Sequence, residues 1–467
     1  MRTIIVWYRN DLRVHDHPAL HAAATDADCV IPVFVLDRAL LTGDRQSSNR
    51  NRFLLQSLHD LKRSLKELGA DLIVREGDAA TELATLAREH QADAVYYSTD
   101  YTGYAIKRDK HVIEHLRAAA IDFRGFGGRL LVDASPKLRT KSDSVFKVFT
   151  PFWKAWAQAP TRTVSPVPVS LRLPAHIALG SLPALKDITV ADMMSPDARK
   201  GGEVAARVRL AEFLDSDVRD YHQTNNDLGR DGTSRLSSYL HFGCISALDI
   251  ASQLGDGQGE RAFHRQLAWR DFYNYVLLHY PKNATQEFQE RYRSYRWDDN
   301  PDLFKAWQDG RTGYPVVDAA MRQLRQEGWM HNRARLIVGS FLTKDLGLDW
   351  RLGERYFMQW LIDGDQANNN GNWQWIASVG VDPAPVFRRL YNPSSQATNY
   401  DPQGIYIRRY VPELAHVTDA HLAEPWKMSD ADQEAAQCQI GRDYPAPIVD
   451  HAEARRAALE RYRSYAA

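Results

Sequence analysis

Hydrophobic and polar positions follow two regimes along this 467-residue chain. Near the start, apolar runs at 3–8 (TIIVWY), 31–36 (IPVFVL), 72–75 (LIVR), 94–98 (AVYYS) and 121–126 (IDFRGF) are separated by segments of helical period over roughly 49–68, 79–90 and 105–119. That alternation predicts a doubly wound parallel sheet, because crossover helices must cover both of its faces. Prolines at 160, 166, 168, 174, 183 and 196 then break any period, which predicts an extended connector. Beyond it the pattern is helical for most of the chain. The expected organisation is an α/β Rossmann-like domain with a parallel sheet over 1–130, an interdomain connector over 131–200 and an all-α domain over 201–467.

Composition narrows the class. No apolar run approaches the ~18 residues that span a bilayer, and MRTIIVWYRND lacks a signal-peptide layout, so a cytoplasmic protein is expected. Cys29, Cys244 and Cys438 lie far apart and form no CxxC, so neither a disulfide framework nor a metal site is expected. Formal net charge is zero, which weighs mildly against a nucleic-acid partner. Any such affinity must come from a local basic face.

The first strand runs into Arg9-Asn10-Asp11 and not a glycine-rich turn, so no dinucleotide fingerprint stands where that fold would put one. Gly125-Phe126-Gly127-Gly128 has the wrong spacing and reads as a turn. His15, His17 and His21 read as local hydrogen-bonding groups around Pro18. In DGTSRLSSYLHFG (231–243), Thr233, Ser234 and Ser237 stand at a helix start, as an N-cap or a phosphate site. HRQLAWRDFYNYV (264–276) and QERYRSYRWDD (289–299) interleave arginines with aromatics, which suits either stacking on a base beside phosphate contacts or an amphipathic helix with a solvated edge. The densest stretch is 328–392, with five tryptophans, an Arg-x-Arg, an Asp-Gly-Asp and three consecutive asparagines. There 332–344 reads as a helix, with Arg335 the candidate partner for a buried Asp363 or Asp365. Such a pair is either a structural salt bridge or a clamp for a planar heterocycle.

The runs Gly-Trp-Met-His-Asn-Arg-Ala-Arg, Asp349-Trp350-Arg351, Asp-Gly-Asp and Asn-Trp-Gln-Trp resemble the photolyase/cryptochrome flavoprotein family, most closely its bacterial cyclobutane pyrimidine dimer photolyases. The resemblance extends from TIIVWYRNDLRVHDHPAL to YDPQGIYIRRYVPEL. It implies FAD in the all-α domain, held by Tyr221, Thr233, Ser234, Arg235, Leu236, Ser237, Phe263, Arg335, Asp363, Gly364, Asp365 and Asn369, the last beside flavin N5. It further implies electron transfer through Trp297, Trp350 and Trp373, and a flipped dimer held by Gln266, Trp269 and Trp375, with Arg270, Asn332, Arg333, Leu336 and Gln396 on the DNA side. The implied partner is DNA containing pyrimidine dimers, bound by a monomer with no obligate protein partner.

Three departures matter. The dimer-binding glutamate of most such enzymes is Gln266 here, which still donates an N–H, and the pocket methionine is Leu336. Tyr104-Ala105 replaces the folate-binding pair, leaving open whether a methenyltetrahydrofolate or deazaflavin antenna binds. Asparagine at 369 and the short C-terminal region favour repair over a cryptochrome-type receptor, including the DASH type. A (6-4) photolyase ranks lower, since Asn332-Arg333 stand where those enzymes carry paired histidines.

Overall fold

The computed structural model describes residues 1–43 and 46–465. Five strands, β1 (Thr3–Tyr8), β2 (Cys29–Leu36), β3 (Ile73–Glu76), β4 (Ala94–Ser98) and β5 (Asp122–Phe126), form one parallel sheet in the order β3-β2-β1-β4-β5. β1 is central, with Ile5 opposite Ile31 on one side and Val95 on the other. Alternate residues feed opposite faces. Ile5, Trp7, Ile31 and Val95 join the core under helices Ala79–Glu89 and Gly103–Ala118. Ile4, Val6 and Tyr8 join the larger core beneath helices Pro18–Asp26 and Ser48–Glu67, which continues into helix Gln258–His279.

The expected connector is not extended throughout. Helix Phe149–Trp156 lies inside it and buries Phe149, Phe152 and Trp156 on helix Gln258–His279. The run after it is tied to the sheet domain by backbone hydrogen bonds, Val30 N to Arg172 O at 2.9 Å and Val74 N to Leu179 O at 2.8 Å. Such pairing satisfies edge groups that a free linker would leave to water.

Helices beyond residue 300 enclose a second core around Trp307, Phe341, Trp350 and Trp373. The stretch expected as one helix over 332–344 is α-helical over Asn332–Ser340 and widens to a π-turn at Phe341–Asp345. There Lys344, 3% exposed, reaches Ile376 O at the end of helix Gln366–Ile376. Burial, reinforced by Arg389, pushes its amine down to about 7. The three cysteines are buried and free.

Candidate functional site

The Arg-x-Arg and Asp-Gly-Asp signatures meet. Helix Asn332–Ser340, capped by His331 Nδ1 accepting from Arg333 N, carries Arg335. Arg335 Nη2 donates to Asp363 Oδ2 at 2.8 Å and its Nε to Met330 O at 2.9 Å. Asp363 Oδ1 is buried with no intramolecular donor among the described residues. A carboxylate oxygen left this way needs a donor from outside the chain.

Asp365 begins the next helix, Gln366–Ile376. Its Oδ1 accepts from Asn368 N at 2.9 Å and Asn368 Nδ2 at 2.8 Å, while Oδ2 lies 3.3 Å from Arg129 Nη2 and 3.9 Å from His241 Nδ1. Burial works to raise its pKa, but His241 and Arg129 outweigh it and hold the group ionised far below the usual carboxylate range. One turn on, Asn369 is buried and fixed through Nδ2 to Glu354 O at 3.0 Å. Trp373 and Trp375 follow on the same helix.

The hydroxyl segment closes on this site by a route the periodicity did not predict. Its helix starts only at Ser237, and residues 233–236 form a loop with Arg235 at φ +51°. Arg209 clamps the loop from outside, with Nε to Ser234 O and Nη2 to Thr233 O, both 2.9 Å. Ser237 Oγ accepts from Trp329 Nε1 at 3.2 Å, beside the Met330 that receives Arg335. Thr233 Oγ1 is likewise buried with no hydrogen-bond partner among the described residues. Tyr221 packs edge-on to Phe213 and Phe263 at 5.8 and 5.4 Å. An acceptor at Asp363, a free hydroxyl at Thr233 and aromatic walls suit a cofactor that is planar at one end and phosphorylated at the other. The Arg235 guanidinium is committed to Glu327 and Asp231 and lies 4.1 Å over the Trp329 ring, which leaves its backbone to the loop.

The two expected stacking tryptophans are rigid platforms. Trp269 lies face to face on Phe149, 3.6 Å between centroids and 7° from parallel. Trp375 carries the Arg389 guanidinium 3.8 Å over its ring, and Arg389 Nη1 donates to Trp375 O at 3.0 Å. Each ring thus has one face filled by a fixed neighbour. Gln266 and Asn332 are exposed, and Leu336 and Gln396 are half-buried. Arg333 chelates Asn226 Oδ1 at 2.7 and 3.0 Å and lies 4.4 Å over Tyr400. Arg270, expected at the DNA, instead turns inward, with Nη1 to Arg129 O at 2.8 Å and a 3.8 Å approach to Asp271. Two backbone carbonyls, Arg129 O and Leu240 O, accept from its guanidinium and fix the direction.

Trp373 and Trp350 are buried and Trp297 is half-buried. Trp373 packs edge-on to Trp307 at 6.2 Å and Phe357 at 5.0 Å. Trp350 Nε1 donates to Glu287 at 3.3 Å. The Trp297 segment is brought beside Trp350 by Asp298 N donating to Gly347 O at 2.9 Å; Trp297 itself packs on Tyr295 at 4.5 Å, and Trp350 carries the Arg351 guanidinium 4.7 Å over its ring. Sequence reading missed Arg129, Arg389, His241 and Phe149, whose roles depend on which way their side chains turn. Tyr104 donates to Asp37 at 2.6 Å, and His15 and His17 pair with Glu203 and Asp11 at 2.8 and 3.0 Å.

The family model for DNA photolyase matches residues 4–171, and that for the FAD binding domain of DNA photolyase matches 263–464. The chain belongs to the DNA photolyase family of enzymes. It is 41% identical over 466 residues to a deoxyribodipyrimidine photo-lyase of Streptomyces griseus, covering 99% of each chain. It resembles the crystal structure of a bacterial class III photolyase from Agrobacterium tumefaciens with a TM-score of 0.93 at 33% identity, covering 100% of this chain and 98% of that one. A Synechocystis cryptochrome gives 0.90 at 31% identity, covering 98% and 99%. The family therefore has an FAD-binding domain where this site lies, and both repair enzymes and cryptochromes share the architecture.

Proposed function

We propose that this chain repairs cyclobutane pyrimidine dimers in DNA under blue or near-ultraviolet light. The observation that carries this reading is the pair of backed platforms, Phe149 under Trp269 and Arg389 under Trp375. A dimer flipped from the duplex is non-planar and badly stacked, and two rings that cannot yield give it apolar walls at little ordering cost. Gln266, on the same helix as Trp269 and exposed, offers its amide to a pyrimidine carbonyl.

Reduced FAD, when bound, supplies the electron that opens the dimer's cyclobutane ring and receives it back. The chain positions and tunes. Asp363, locked by Arg335, presents Oδ1 as a fixed acceptor for a ring N–H, and the Thr233 hydroxyl and the Ser237 end of the loop offer donors to phosphate. Asn369 is an amide and has no acidic proton to deliver, which suits a flavin kept anionic. Trp297, Trp350 and Trp373 are the proposed route for reducing equivalents from the surface, ordered from half-exposed to buried.

A receptor of the cryptochrome type is the second reading, favoured by the Synechocystis neighbour and by glutamine at 266. The (6-4) reading fares worse on physical grounds. Burial and the charges of Arg235, Arg333 and Arg335 push His331 down to about 4, so at neutral pH it is uncharged and a weak proton donor. Repair is measured by illuminating the reduced protein with a duplex carrying one thymine cyclobutane dimer and following thymine absorbance against a dark control. Light-dependent recovery, with a (6-4) duplex unrepaired, supports the proposal; no recovery with FAD bound and reduced refutes it in favour of the receptor.

A further inference from the structure

The Gly127-Gly128 turn that follows β5 has no part in the activity above. Gly128 takes φ +118°, and a Cβ on Gly127 would fall 2.1 Å from Asp133 Oδ2, so only glycines make this bend. The bend delivers the next residue, Arg129, away from the sheet domain and into the helical one. Its side chain is 5% exposed, with Nη1 3.3 Å from Asp100 Oδ2, just past β4, and Nη2 3.3 Å from Asp365 Oδ2. Its carbonyl is held by Arg270 Nη1 at 2.8 Å.

We propose that Arg129 is a positioning residue for the flavin site, a guanidinium strut by which the sheet domain fixes and ionises Asp365 and thereby sets the helix that carries Asn369, Trp373 and Trp375. The division of Asp365 supports it: Oδ1 is committed to capping helix Gln366–Ile376 through Asn368, which leaves Oδ2 to Arg129 and the more distant His241. The strut is also the cation between two buried carboxylates. Without it both lose the cation they share; Asp100 keeps Arg9 and Arg108 nearby, and the loss falls on Asp365, whose neutral form is then favoured.

Of the other charged groups around Asp365, His241 shares Oδ2 with Arg129 from 3.9 Å, and the rest are committed elsewhere. Asp363 is taken by Arg335, and Arg50 donates to Met358 O and Leu361 O. Arg270 faces Asp271, Asp11 holds His17, and burial lowers the His241 pKa and so disfavours its charged form. A planar, always-charged fork reaches two carboxylates at once, which a lysine cannot do equally well.

The inference rests on FAD being bound here, and the test separates the two. FAD released from the holoprotein is followed by its fluorescence between pH 8 and 5 for wild type, Arg129→Gln and Arg129→Lys, with far-ultraviolet circular dichroism as the check on folding. Wild type retains FAD across the range. Arg129→Gln is expected to lose at least tenfold in FAD affinity between pH 7 and 5 as Asp365 takes up a proton, and Arg129→Lys to recover part of the loss. FAD affinity equal to wild type at every pH, or weakened equally at every pH with no recovery by lysine, overturns the proposal; the second result marks a purely structural arginine. If Arg129→Gln does not fold, Asp100→Asn decides, because it frees Arg129 from the sheet domain and keeps its charge: FAD release several-fold faster supports the strut, and unchanged release overturns it. Wild-type protein that holds no FAD refutes the FAD assignment and this inference together.

Discussion

Gly353→Ala sets two known effects against each other. Gly353 lies inside helix Trp350–Trp360, where alanine is favoured over glycine by about 1 kcal/mol. A Cβ there would stand 2.1 Å from Trp373 Cη2 and 2.6 Å from two further ring carbons, so it falls about 1.3 Å short of the ordinary 3.4 Å contact. The ring has little room to retreat. It is 3% exposed, Trp307 and Phe357 meet it edge-on, and Gly339 lies along another side. Overpacking of this kind costs about 1–3 kcal/mol, so the net expectation is a loss of up to about 2 kcal/mol despite the better helix former. Thermal unfolding of the purified protein gives the sign, and its FAD content shows whether helix Gln366–Ile376 has moved. Adding Trp373→Phe removes the ring carbons that collide, so the double variant should be more stable than the two single effects predict. A melting temperature at or above wild type, with normal FAD content and no such coupling, would refute the tight placement of Trp373.

Lys344→Met tests the buried amine at the π-turn. Its folded pKa is lowered from an ordinary 10.5 to about 7, so its contribution is at its best above 10.5 and is lost as pH falls through 7; the melting temperature gained by the methionine should be larger at pH 6 than at pH 9. Trp269→Ala should weaken binding to dimer-containing duplex by about 1–3 kcal/mol in a filter-binding titration, with undamaged duplex and FAD content unchanged. Trp297→Phe should slow light-driven flavin reduction by an external thiol more than tenfold, while repair by chemically pre-reduced protein stays at the wild-type rate.

The strand positions were legible because strands covered on both faces must be apolar: β1 is found at the predicted 3–8, and β2 to β5 lie within two residues of the runs read from the sequence, although β5, at the sheet edge, is largely exposed. Helix Phe149–Trp156 was not, since eight residues give barely two turns of period and prolines crowd the region just beyond. The π-turn escaped for a related reason. Its apolar stripe continues without a break, and the widened turn follows from tertiary partners, Thr343 Oγ1 on Gly339 O and Lys344 on Ile376 O. At the site, the Arg335–Asp363 pair was foreseen because a buried carboxylate demands a cation and few stood nearby. Arg270, Arg129 and Arg389 show the converse. An arginine in sequence has no direction, and Arg270 was drawn inward by the carbonyls of Arg129 and Leu240, distant in sequence, which no local pattern revealed.

The same consideration disposes of the zero net charge as evidence against DNA. Much of the charge is internal and cancels in pairs that no phosphate meets, among them Asp11 with His17, Arg129 with Asp100 and Asp365, and Arg351 with Glu287. What a polyanion senses within a Debye length of about 8–10 Å is the charge left at the surface near the platforms. Next to Trp269 those groups are basic: Arg265 is exposed with its guanidinium 5.3 Å over Phe149, and Lys147 and Lys154 are exposed at either end of the Phe149 segment. Next to Trp375, Asp382 is drawn to the Trp375 and Arg389 side chains while Arg388 stays exposed. A formal sum over all residues weights the buried carboxylates equally with these, and so it underestimates the field at the proposed DNA face.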